Sequence, residues 1–96
     1  MKKTNNYPIK DAIEEFLKTF KLDKKIKEQE IIQSWELIVG KGINKYTDEI
    51  KIKDGVLFVK LRSSVVRDEL SYSKEKLLQA LNSVCGQPIL KDIVLI

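Results

Sequence analysis

Three stretches of the chain carry residue types that could do chemistry. Gly40-Lys41-Gly42 invites comparison with a phosphate-cradling loop, in which backbone N–H groups and a lysine hold an anion. It lacks the further glycine and the Gly-Lys-Ser/Thr ending, and it follows a helical pattern where such a loop follows a strand. Gly40 reads better as a structural helix stop. Asp48 and Glu49, with Asp54 nearby, offer carboxylates for a magnesium ion or an acid–base pair. Neighbours on a strand point to opposite faces, so Asp48 and Glu49 do not converge and read as solvated carboxylates. The one thiol, Cys85, has no adjacent cation to lower its pKa, Lys76 and Lys91 being the nearest in sequence. It reads as a small residue at the core boundary.

The absence of histidine removes the usual catalytic triads and zinc sites with His ligands, and no serine lies in a Gly-x-Ser-x-Gly elbow. The chain therefore reads as non-enzymatic, with no cofactor and no small-molecule substrate.

One pattern survives. Ile50 and Ile52 alternate with Lys51 and Lys53, Asp54-Gly55 follows, and Leu57, Val59 and Leu61 alternate with Phe58, Lys60 and Arg62. An Asp-Gly pair between two alternating runs is a strong hairpin signal, because both turn positions need positive φ. With the aliphatic set facing inward, Lys51, Lys53, Phe58, Lys60 and Arg62 share the opposite face. Four cations around one aromatic ring suit phosphates and an unstacked base. The plainer reading is that the outer face of a half-buried antiparallel sheet is polar in any case. Lys41 and Lys45, on the turn before the hairpin, would extend such a patch.

The elements that position these residues follow from periodicity. Ile9, Ile13, Phe16, Leu17 and Phe20 form an apolar stripe on a helix of about 8–21, opened by Pro8. Asp23 caps a second helix of about 24–39 with Ile31, Trp35 and Ile38 as its stripe, and Gly40 stops it in a left-handed conformation. Trp35, among isoleucines, reads as core. Residues 41–47 form a short helical turn or loop. After the hairpin, Ser63 or Ser64 caps a third helical region carrying Val66, Leu70, Leu77, Leu81 and Val84, divided at Ser71-Tyr72-Ser73 and ended by Gly86 and Pro88. The apolar terminus Ile89–Ile96 reads as a third strand. The order α-α-β-β-α-β gives an α+β fold with helices on one face of a small three-stranded sheet.

Composition agrees with one small domain. The chain has 96 residues, a formal charge of +4 and a single cysteine, which points to a reducing cytoplasm. No run approaches the ~20 apolar residues that span a bilayer, so no membrane partner is expected. A charge of +4 permits nucleic-acid binding without requiring it.

Taken in order, Trp35-Glu36-Leu37-Ile38-Val39-Gly40, Thr47, Asp54-Gly55-Val56-Leu57-Phe58-Val59, Ser63-Ser64-Val65-Val66-Arg67-Asp68-Glu69-Leu70 and Leu77-Leu78-Gln79-Ala80-Leu81-Asn82 resemble the core domain of the DciA family. The resemblance runs from about residue 10 to 96. It implies a single KH-like domain over 8–96, in a DNA-binding accessory that assists the replicative DNA helicase; residues 1–7, polar and with little to bury, read as a flexible N-terminus. The implied partners are single-stranded or forked DNA and the helicase itself. Tyr46-Thr47-Asp48-Glu49 stands where the family often has His-Ser/Thr-x-Pro, and Val66 where it often has Trp. The Gly-x-x-Gly loop of standard KH domains is absent, so their sequence-specific clamp does not carry over. The alternative is a protein–protein adaptor of KH-like fold without significant nucleic-acid binding, docking through an apolar helix face or an open sheet edge.

Overall fold

The computed structural model describes residues 9–96; the stretch 1–7 expected to be flexible, and Pro8, lie outside them. Helix α1 (Ile9–Gln33) runs unbroken for 25 residues, then α2 (Trp35–Val39) and α3 (Lys41–Asn44) follow in quick succession. The break expected at Asp23 does not occur. No Gly or Pro stands between Ile9 and Gln33, and Asp23 is not a cap: its carboxylate pairs along the helix with Lys27 at 3.4 Å. The stripe is interrupted in sequence because Lys24 and Lys27, not apolar residues, continue its face toward Ile31, and both are half-buried there; a polar residue on a helix face is no reason for the helix to stop.

The helix is interrupted at Ser34, directly before Trp35. Ser34 donates its hydroxyl to the Ile31 carbonyl at 2.8 Å, while its N–H reaches both Glu30 and Ile31. Such back-bonding bends helices. The stripe of Ile31, Trp35 and Ile38 is thereby carried across two elements.

Gly40 ends α2 as expected, but by different geometry. Its φ of +91° and ψ of 162° lie outside the left-handed helical region, in territory open essentially to glycine alone. Its N–H donates to Glu36 O at 2.8 Å and its carbonyl accepts from Asn44, so one residue closes α2 and opens α3.

Strands β1 (Thr47–Lys53) and β2 (Val56–Leu61) form the expected hairpin, with φ of +53° at Asp54 and +79° at Gly55. Ser63 caps α4 (Ser64–Ser71), its hydroxyl accepting from Val66 N–H at 3.2 Å. After the break at Tyr72 and Ser73 comes α5 (Lys74–Cys85), and the chain crosses back as β3 (Asp92–Leu95), parallel to β2. The sheet is mixed, in the order β1-β2-β3, with the helices preceding and interleaving it as the α+β reading requires.

The core lies between the sheet's inner face and the helices. Ile31, Trp35, Leu57, Val59, Leu61, Leu70, Leu77, Leu81, Leu90 and Ile93 are buried, and Ile50 and Ile52 pack against them. Each such side chain contributes about 1.5–3 kcal/mol of transfer free energy. Val84, expected on the buried stripe, is exposed, and Cys85 packs at the boundary in its place. Trp35 Nε1 donates to Thr47 Oγ1 at 3.1 Å, and Thr47 passes a bond to Ile43 O, tying α2 and α3 to the first residue of β1. Among the described residues no helix is long and apolar enough to cross a membrane.

Candidate nucleic-acid interface

The outer face of the sheet is organised in rows across its strands. Lys51 stands opposite Phe58, which stands beside Val94; Lys53 stands opposite Val56, which stands beside Asp92. Glu49 stands opposite Lys60. Leu57, Val59 and Leu61 point the other way, into the core. Phe58, Val56 and Val94 are half-buried by their neighbours in the sheet yet take no part in the core. An aromatic ring therefore lies on the open face with a lysine on its flank.

Lys51, Lys53 and Lys60 are exposed, and among the described residues none of them is in an ion pair. The face also carries Glu49 and Asp92, with Asp92 paired to Lys74 at 3.6 Å. Its cationic character is thus local to the β1–β2 ladder rather than spread over the whole sheet.

Arg62 does not join these residues. It follows the last residue of β2, where a bulge in β1 puts Asp48 between the pairs Thr47–Leu61 and Glu49–Lys60. Arg62 Nε donates to Asp48 Oδ1 at 2.9 Å, a second guanidinium nitrogen donates to Lys45 O at 3.2 Å, and the Arg62 N–H donates to Tyr46 O at 2.8 Å. The guanidinium clamps the start of β1 to the end of β2, and its charge is already matched. Alternation gives Arg62 a face but not its partners: it lies beyond the last residue of β2, where Asp48 and the Lys45 carbonyl take up its guanidinium.

Lys45 sits at this same end with its ammonium 5.5 Å from the Tyr46 ring centroid. Lys41 lies apart, beside Gln33, Glu36, Leu37 and Gly40 where α1, α2 and α3 meet. The structure therefore groups Lys51, Lys53, Lys60 and Phe58, sets Arg62 and Lys45 together at one end, and leaves Lys41 elsewhere.

A further cation stands at the turn end of the sheet. Lys91 N–H donates to Gly55 O at 2.7 Å, and its side chain lies across Gly55 so closely that a Cβ there would meet Lys91 Cε at 3.0 Å. Only the parallel pairing of β3 with β2 brings Lys91 to the hairpin turn. Alternation within the hairpin carries no signal of it.

A family model described as "Dna[CI] antecedent, DciA" matches residues 8–95, nearly the whole chain. No curated protein and no solved structure matches it. The tryptophan that fills the core, the Asp-Gly hairpin and the Ser63-capped helix all lie within the matched span, and the chain belongs to the DciA family.

Proposed function

We propose that the chain is a non-enzymatic, DNA-binding accessory of the replicative helicase, working in the cytoplasm, and that the outer face of the β1–β2 ladder is its nucleic-acid surface. Family membership supports a helicase-loader-like role in replication. The observation that carries the DNA surface is Phe58, held on the open face outside the core between Lys51 and Val94. A flat aromatic face stacks an unpaired base without regard to its identity, and the flanking lysines meet the backbone phosphates. Single strands or forks fit this arrangement better than closed duplex, whose bases are already stacked. Arg62, Lys45 and Lys41 contribute at most to the general field.

Titration of labelled single-stranded, forked and duplex DNA at two salt concentrations, with and without the helicase, tests the reading. Reversing Lys51, Lys53 and Lys60 to Glu should weaken single-strand binding and lower the slope of log K against log salt by about 0.7 per lysine. Phe58→Ala should weaken it by roughly 5- to 150-fold, the equivalent of about 1–3 kcal/mol of stacking. Arg62→Ala should change the slope far less than Lys60→Ala. Unchanged binding after the triple reversal would reject this face, and helicase capture without DNA affinity would favour the adaptor reading.

A further inference from the structure

Among the described residues, nothing covers the apolar side chains of the first half of α1. Ile9 is 78% exposed, Ile13 53%, Phe16 67%, Leu17 46% and Phe20 55%. These side chains lie at intervals of three and four on one side of the helix, with the Phe16 and Phe20 rings stacked at a centroid distance of 6.4 Å. They present on the order of 500 Å² of apolar surface, more than scattered exposed residues amount to on an ordinary monomer. We infer that this stripe is the interface with a second copy of the chain, the two α1 helices packing antiparallel about a two-fold axis between Phe16 and Leu17.

Charge selects that occupant and that direction. Asp11, Glu14 and Glu15 fill the first part of the exposed segment, and Lys18, Lys21, Lys24 and Lys25 the next. The change of sign falls between residues 15 and 18, and the apolar group Ile13, Phe16, Leu17 and Phe20 is centred on the same place. An antiparallel pair about this centre sets Ile13 level with Phe20 of the second copy and Phe16 level with its Leu17. The acidic half of each helix then runs along the basic half of the other. Glu14 and Lys21 lie on the same flank of the stripe, the flank that meets itself in an antiparallel pair. Asp23, the exception in the basic half, is already paired along its own helix with Lys27. A parallel pair would place like charges together throughout.

Size and sterics agree. Two copies of the stripe bury on the order of 1,000 Å² together, the lower bound for a specific interface. In this register Ile9 of one copy reaches Lys24 of the other, where α1 is already half-buried, and stops short of the fully buried Ile31. The two bodies lie at opposite ends of the pair.

Light scattering and sedimentation across a concentration series read the outcome directly. The chain should approach twice its monomer mass as concentration rises, and Phe16→Glu should remain monomeric, with an unfolding midpoint that matches the dilute unaltered chain and does not change with concentration, because Phe16 touches no core residue. Direction is read by mild oxidation in a Cys85→Ser background. Leu17→Cys, next to the two-fold axis, should cross-link to itself, and Ile9→Cys should not. A monomer at every concentration up to the millimolar range overturns the inference. Cross-linking through Ile9→Cys in preference to Leu17→Cys overturns the antiparallel register.

Discussion

Asn82 makes two hydrogen bonds to a single residue eight positions away. Its Nδ2 donates to Leu90 O at 3.1 Å, and its Oδ1 accepts from Leu90 N–H at 2.8 Å, so the side-chain amide takes the place of a neighbouring strand. Leu90 is in the core, and the pairing holds the segment after α5 in position to enter β3. Asn82→Ala leaves both backbone groups of a buried residue unmatched and should destabilise the chain by about 1–3 kcal/mol, measured as a lowered urea midpoint with unchanged slope. Asn82→Asp retains only the acceptor, so it should recover part of that loss. The sequence pattern marks Asn82 as one of the residues that resemble the family, but its partner sits beyond Gly86 and Pro88, where no periodicity connects the two. Arg62 was misplaced for a related reason. Alternation puts it on the face of Lys60, but its partners, Asp48 and the Lys45 carbonyl, lie 14 and 17 residues earlier, beyond the reach of any local pattern.

The elements were legible wherever the chain's own local chemistry decides them. The Asp54-Gly55 turn, the Ser63 cap, the division around Tyr72 and the final strand all follow from residues whose backbone preferences act within a few positions. Helix α1 was misread because its boundaries were inferred from apolar spacing, which reports burial rather than helicity, and much of this helix buries nothing. Gly40 lies between these cases: the position of the stop is local, but its unusual φ and ψ arise from joining two short helices without a loop. A Cβ at Gly40 would meet no atom within 4 Å, so any cost of substitution is backbone strain alone. Gly40→Ala should therefore cost about 1–3 kcal/mol. Because Thr47 and Trp35 depend on the α2–α3 junction, the loss should be accompanied by a change in tryptophan fluorescence. A neutral Gly40→Ala would mean that the junction relaxes into an ordinary helix end.

The molecule as a whole is far from spherical. Its radius of gyration is 18.0 Å and its extents are 62 × 21 × 18 Å, whereas a compact chain of this length has a radius of about 12–13 Å. This extended shape is not visible in the sequence, because an apolar stripe looks the same whether the residue it faces belongs to its own chain or to another. The projecting part of α1, residues 9–24 and about 24 Å long, contributes no buried residue to the core. An isolated helix of that length is marginal in water, while β2 opens only when the whole core does. In the Phe16→Glu variant, which removes self-pairing, backbone amides of residues 13–24 should exchange with solvent at least about 100-fold faster than those of Leu57, Val59 and Leu61. In the unaltered chain the same amides should gain protection as concentration rises, since pairing stabilises by mass action. Equal protection of both regions in the variant would mean that the first half of α1 folds back onto its own body, and the extended shape would then be wrong. Fast exchange that ignores concentration would keep the extended helix and remove the second copy from it.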